Sequence, residues 1–323
     1  MKRSIKIIKN RSDIGAGTRG SDLGIDAIEI AAINKGSQYF HDYPFVDVKT
    51  RNDAIYDRTL YPFAKRIKQV LKQCREVASV VEKTLEDDHF PLVFSGDHSS
   101  AIGTISGIKA AFPHKTLGII WIDAHADIHS PYTTPSGNMH GMPLAATMDE
   151  DNLSCAVNAI DEDTKKYWHK LKEIGGKVGK FKSKNLVYFG VRDTEEPEDI
   201  LMRELEVKNY TVDEVRNKTV SCCVIEVLQK LENCDMIYVS FDVDSMDSEL
   251  ISNGTGTPVP KGFFPTEIVA LLEGILSAKK VVCFEIVEVN PLLDNKGNKA
   301  AEVAFDILEK VTKSIERTVK LVH

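Results

Sequence analysis

No stretch of this 323-residue chain approaches the roughly 18–20 apolar residues that a bilayer-crossing helix requires. The opening MKRSIKIIKNRSD is basic but lacks the apolar segment and small residues of a secretory signal. A membrane or exported protein is therefore not expected. Basic charge in excess is missing too. Lys and Arg total 41 against 48 Asp and Glu, a net charge of -7, which argues against nucleic acid or an anionic lipid surface as a partner. The six cysteines (Cys74, Cys155, Cys222, Cys223, Cys234, Cys283) contain no Cys-x-x-Cys pair, so a thiolate zinc site and a disulfide framework both drop out. Reduced thiols in a cytoplasmic enzyme are the expectation. There is no internal repeat, no low-complexity linker and no Gly-Lys-Ser/Thr phosphate loop.

What remains is the composition of a globular protein, 42% hydrophobic and 28% charged. Five short apolar runs read as buried strands: Pro91 to Phe94, Leu117 to Ile122, Leu186 to Phe189, Met236 to Phe241 and Val281 to Val287. Segments of helical period lie between and after them, notably Tyr61 to Glu86, Thr266 to Lys279 and Lys299 to Val322. This alternation predicts one doubly wound α/β domain over 1–323, a parallel sheet with helices on both faces. Asp149 to Lys184 interrupts the pattern, acidic first and Lys-rich later (including Lys172, Lys177 and Lys180). It reads as an insertion with a surface helix, a Gly-containing loop and solvated charges.

Unusual polar clusters follow the apolar runs, where ligands of open parallel sheets bind. Ser95-Gly96-Asp97-His98-Ser99 follows the first, Asp123-Ala124-His125-Ala126-Asp127 the second, and Asp242-Val243-Asp244 the fourth. Alternate residues of an extended chain share a side, so Asp123, His125 and Asp127 converge, as do Asp242 and Asp244. A lone Asp-x-Asp is as well read as a turn or helix cap. Acidic groups after three buried strands would instead repel one another unless cations sat between them. With His98 the set comprises two imidazoles and four carboxylates, whose formal charge matches two divalent ions. Its oxygen-rich chemistry suits Mn²⁺, with Fe²⁺, Co²⁺ or Ni²⁺ as substitutes. Two such ions would hold and acidify a bridging water, which implies a hydrolase.

Taken together these motifs resemble the ureohydrolases, a family that includes arginase, agmatinase and formimidoylglutamase, and the similarity runs from about Gly15 to the C-terminus. The resemblance implies a three-layer α/β/α fold around an eight-stranded, mainly parallel sheet, with two Mn²⁺ per subunit and assembly into trimers or hexamers. It implies His98, Asp123, Asp127 and Asp242 on one ion and Asp123, His125, Asp242 and Asp244 on the other. The segment Ser136-Gly137-Asn138-Met139-His140 is similar to the arginase form, in which Ser136 and Asn138 would bind an α-carboxylate. His140 would shuttle protons, which suits an imidazole near neutral pH. Glu288 would pair with a guanidinium, and Thr257 lies in an expected active-site loop. The implied reaction is hydrolysis of L-arginine to ornithine and urea by a metal-bridging hydroxide oriented by Asp127.

Two substitutions set this chain apart. His129 stands where the arginase pattern has Asn, and Glu195 stands where an Asp reaches the α-amino group. Another ureohydrolase substrate (agmatine, a guanidino acid or formimidoylglutamate) is the first alternative, discriminated by the Ser136 to Asn138 segment. A non-catalytic metal-binding protein of the same fold is the second, and a deacetylase of related fold a weaker third.

Overall fold

The computed structural model describes residues 4–176 and 178–320. Eight strands form one sheet: β1 (Ser4–Asn10), β2 (Phe45–Asp47), β3 (His89–Ser95), β4 (Leu117–Ile122), β5 (Leu186–Phe189), β6 (Lys208–Tyr210), β7 (Met236–Asp242) and β8 (Val281–Val287). Every pairing is parallel, in the order β2-β1-β3-β8-β7-β4-β5-β6.

The strands are apolar throughout because both faces are covered, and the period of two sorts their side chains between two cores. Along β4, Ile120 and Ile122 enter one core while Leu117, Ile119 and Trp121 enter the other. Along β7, Ile237, Val239 and Phe241 part in the same way from Met236 and Tyr238. The first core is closed by the helices Gly24–Asn34, Val220–Lys230, Pro265–Leu276 and Lys299–Lys320. The second is closed by Ile67–Glu86, Ala101–Ala111, Pro143–Met148 and Glu162–Lys172. The result is the three-layer α/β/α arrangement.

Strands β4, β5 and β8 coincide with their apolar runs, β3 is longer at both ends and β7 continues to Asp242. Strand β1 was hidden by its lysines. Lys9 is buried, yet its ammonium lies 2.8 Å from Glu29 Oε1 and 3.8 Å above the Phe45 ring, which compensates the charge within the fold. The edge strands β2 and β6 have three residues each, too few for a periodic signal. The helix expected from Tyr61 begins at Ile67, because Arg66 adopts a left-handed conformation with φ 56°. The helix expected to reach Val322 runs to Lys320, and Val322 lies outside the described residues.

The 149–184 stretch is less solvated than its composition suggested. The helix Glu162–Lys172 buries Trp168 and Leu171. Lys172 and Lys180 are also buried: Lys172 Nζ donates to Asp149 Oδ1 at 2.8 Å and Asp151 Oδ1 at 2.6 Å, and Lys180 Nζ to the Lys172 carbonyl at 2.8 Å. Lys177 lies outside the described residues.

The helices Ile67–Glu86 and Ala101–Ala111 approach closely because Gly103 and Gly107 present no side chain. A Cβ at Gly107 would stand 2.5 Å from the Ala78 carbonyl oxygen, and one at Gly103 the same distance from that of Cys74. Gly107→Leu is expected to force the pair apart and cost about 1–3 kcal/mol. Urea unfolding monitored by circular dichroism checks this, and an unchanged midpoint would show that the pair tolerates separation.

Candidate metal centre

The strand order brings the carboxyl ends of β3, β8, β7 and β4 side by side at the middle of the sheet, where the chain's connections change direction. Each of three strand ends turns on an aspartate whose carboxylate accepts the amide two residues on. Asp97 Oδ1 accepts from Ser99 N at 2.8 Å, Asp123 Oδ1 from His125 N at 2.7 Å, and Asp242 Oδ1 from Asp244 N at 2.8 Å. The turn-forming and ligand readings of these residues are thus compatible. The second oxygen of Asp97 accepts from Gly15 N at 2.9 Å, whereas in Asp123 and Asp242 one carboxylate oxygen makes the turn and the other faces inward. Asp244 divides its oxygens likewise, Oδ1 accepting from Ala124 N at 3.1 Å.

The inward atoms converge. His98 Nδ1 lies 3.0 Å from Asp123 Oδ2, 3.0 Å from Asp127 Oδ2 and 3.2 Å from Asp242 Oδ2. His125 Nδ1 lies 3.0 Å from Asp244 Oδ2 and 3.5 Å from Asp123 Oδ1. Two groups of potential ligands result, His98-Asp123-Asp127 and Asp123-His125-Asp244, each with its ligand atoms within 4.8 Å of one another and both sharing Asp123. Asp242 reaches the first group through His98. The His98 ring is fixed by stacking on Trp121 at 4.0 Å between centroids and by contact of Nε2 with Ser240 Oγ at 2.7 Å. Trp121 Nε1 in turn donates to Asp123 Oδ2 at 2.9 Å. Such contacts outside the ligand set orient ligands.

The electrostatics call for cations. Burial raises Asp127 to about 6, with Asp123 adding repulsion; burial also takes Asp242 well above the usual carboxylate range and raises Asp244. Burial would raise Asp123 as well, but hydrogen bonds from His125 and His98 bring it down. Burial thus works against the charged form of these carboxylates, and for three of them the protein's own groups do not offset it. His98 Nδ1, buried among them, makes no well-formed hydrogen bond. An orphaned imidazole nitrogen surrounded by carboxylate oxygens is a donor set suited to divalent ions of the Mn²⁺ type.

A cavity of about 280 Å³ opens above the centre. Its walls include His129, Ser136, Asn138, His140, Glu195, Thr257 and Glu288 together with all the candidate ligands but Asp123, which is buried beneath. Glu288 has φ 67° and Asp127 φ 51°, left-handed conformations that cost of order 1–3 kcal/mol each and concentrate at functional sites. Glu288 Oε1 accepts from His98 N at 3.0 Å and lies 3.2 Å from His140 Nδ1. One oxygen is therefore engaged by the protein, which differs from a carboxylate holding both oxygens free for a guanidinium. Burial lowers the His140 pKa, but Glu288 and neighbouring carboxylates outweigh it and lift it to about 9. Thr257 Oγ1 lies 3.4 Å from Asp244 Oδ2. Asn138 Oδ1 accepts from Lys65 Nζ at 3.1 Å, and Ser136 Oγ accepts from Asn138 N at 3.2 Å.

At the far end, His129 Nε2 is 2.7 Å from Glu195 Oε2 and 3.4 Å from Glu198 Oε2. Sequence reasoning missed Glu198. Its signal was Glu three residues into a helix start, where Oε2 accepts from Glu195 N at 3.2 Å. Asp193 also went unnoticed, and it stands 3.6 Å from His125 Nε2. Arg192 binds this loop to its neighbours, donating to the carbonyls of Asp244 at 3.0 Å and Val259 at 2.9 Å. The 149–158 segment braces the loop that carries His129, Ser136 and Asn138. Ser130 Oγ donates to the Asp151 carbonyl at 2.6 Å, and Asn158 Nδ2 to the carbonyls of Pro131 at 3.1 Å and Thr134 at 2.7 Å.

A model of the arginase family matches residues 3–313. The chain is 33% identical over 318 residues to the arginase of Bacillus subtilis, covering 96% of this chain and 98% of the relative. It superposes on the crystal structure of arginase from Bacillus caldovelox with a TM-score of 0.82 at 33% identity, covering 96% of this chain and 98% of that one. The formimidoylglutamase of Bacillus subtilis, 19% identical with a TM-score of 0.74, shares the fold.

Two outcomes are expected. Mn²⁺ added to chelator-treated protein should stabilise it by about 2.7 kcal/mol per site at free metal one hundred times Kd, and Asp242→Asn should abolish most of the gain; calorimetric melting measures both. Asn158→Ala should leave the bound metal unchanged while loosening the 129–138 loop, read as faster amide hydrogen exchange there.

Proposed function

Since this chain belongs to the arginase family, we propose that it hydrolyses the guanidinium group of L-arginine to ornithine and urea, using two Mn²⁺ ions held by His98, Asp123, His125, Asp127, Asp242 and Asp244. The observation that carries this reading is the convergence of those six side chains under a cavity that also holds Glu288, His140, Ser136 and Asn138. When bound, the ions supply an acidified water and charge stabilisation at the reacting carbon.

The chain's own residues do the rest. Ser136 and Asn138, at the outer wall, hydrogen-bond the substrate α-carboxylate. Glu288 retains one uncommitted oxygen, Oε2, to receive a guanidinium N–H, which turns the carbon toward the metal centre. Asp127, raised by burial, accepts a proton from the attacking water. His140, charged at neutral pH, donates a proton to the departing amine. The left-handed backbone at Asp127 and Glu288 holds both carboxylates at the cavity floor. The reading takes manganese from the donor chemistry, and includes a cytoplasmic setting and a homo-oligomer of three or six chains as the family resemblance suggests.

Urea release by the Mn²⁺-loaded protein should favour L-arginine strongly over agmatine, which has no carboxylate for Ser136 and Asn138. A preference for agmatine would overturn the substrate assignment. His140→Asn should retain the metal and lower kcat by about 10²–10⁴; loss of metal, measured by elemental analysis, would remove His140 from the proton-transfer role.

A further inference from the structure

Discrimination against a substrate that lacks a polar group comes mainly from what the missing group leaves unpaired in the site. A site built around such a group rejects the analogue by about 10⁴–10⁵. Carboxylates that await an ammonium therefore enforce its presence. Here they do not wait. His129 is 8% exposed at its side chain, and its Nε2 reaches Glu195 Oε2 at 2.7 Å and the buried Glu198 Oε2 at 3.4 Å. The ring is held from the other side as well. Thr133 Oγ1 accepts from Ser130 N at 3.1 Å, donates to the Ser130 carbonyl at 3.5 Å and lies 3.1 Å from His129 Nδ1. A carboxylate only accepts, so the proton on His129 Nε2 is directed at Glu195. The His129 backbone is fixed by its amide, which donates to the Gly141 carbonyl at 3.0 Å. Glu198 is further satisfied by the amides of Ile128 at 3.3 Å and Glu195 at 3.2 Å.

We propose that His129 supplies internally the hydrogen bond that a substrate α-ammonium would make, so that the enzyme also hydrolyses guanidinoalkanoates, the des-amino analogues of L-arginine. The proposal rests on the guanidino-hydrolase reading above and widens its substrate class. For either substrate one water is consumed. Its oxygen bonds the guanidinium carbon, the bond from that carbon to the alkyl-bearing nitrogen breaks with its electron pair remaining on nitrogen, and that nitrogen takes up both of the water's protons to leave as an ammonium. Urea is the other product, with no change of oxidation state. Ser136 and Asn138 retain their partner because both substrates carry the carboxylate. His129 is thus a specificity residue that acts through Glu195 and Glu198.

The test compares kcat/KM for L-arginine and for its des-amino analogue of equal chain length, in the Mn²⁺-loaded wild type and in His129→Asn. The wild-type preference for L-arginine should lie within about tenfold and should grow at least about tenfold in the variant, through loss on the des-amino substrate. A wild-type preference beyond about a thousandfold, or one unchanged in His129→Asn, overturns the proposal. Glu195→Gln provides a second arm, in which less than about a tenfold loss on L-arginine is expected and a larger loss confined to L-arginine counts against it. If neither compound is hydrolysed, the guanidino-hydrolase reading itself fails. The ratio of calorimetric affinities for ornithine and the matching aminoalkanoate, in wild type and His129→Asn, then decides the His129 question without turnover.

Discussion

Four buried aspartates that must remain charged are the constraint around which this molecule is organised. Among the described residues no lysine or arginine forms an ion pair with them; two imidazoles neutralise them in part, and burial works against all four. The sheet delivers them from the ends of β4 and β7, and His98 from the end of β3. Because those ends are adjacent only in the order β3-β8-β7-β4, the centre depends on a topology that interleaves late strands between early ones. The apolar strands on either side then serve a second purpose. They exclude water beneath the centre, which makes each unpaired charge more expensive and each bound cation more valuable.

The centre is also preorganised by backbone. Three of its carboxylates give one oxygen to a nearby amide. What would otherwise be flexible side chains become short, rigid extensions of the strand ends, and little conformational freedom is left to lose when an ion arrives. The left-handed residues Asp127 and Glu288 show the same logic under strain, since only a well-packed surround holds non-glycine residues there. Arg192 and the 149–158 segment extend this support outward to the loops that line the cavity.

Much of this was legible in the sequence, because the strongest signals were local. Leu117 to Ile122 is a pure apolar run ending in Asp123, and its strand and its chemistry announce themselves together. Strand β1 did not, since Lys6 and Lys9 made it look like a basic tail and only the tertiary partners Glu29 and Phe45 explain Lys9. The polar stretch 149–184 was likewise opaque: whether Lys172 meets water or two aspartates is decided by how the helix Glu162–Lys172 lies against the second core. Glu198 escaped for a related reason. A glutamate early in a helix is commonplace, and its value here comes from a histidine 69 residues earlier, as the positions of His129 and Glu198 show.

The chain has two tryptophans, and each donates its indole N–H to an aspartate. Trp121 binds Asp123 at 2.9 Å within the ligand cluster, whereas Trp168 binds Asp151 at 2.7 Å within the brace behind the substrate loop. The protein therefore carries two built-in fluorophores at its two most consequential places. One lies in contact with the ligands and the other with the supporting segment, so each indole is placed to report on its own surroundings. Replacing either with phenylalanine would separate the two signals optically, so ion arrival and loop motion become events that can be timed one against the other in a single chain.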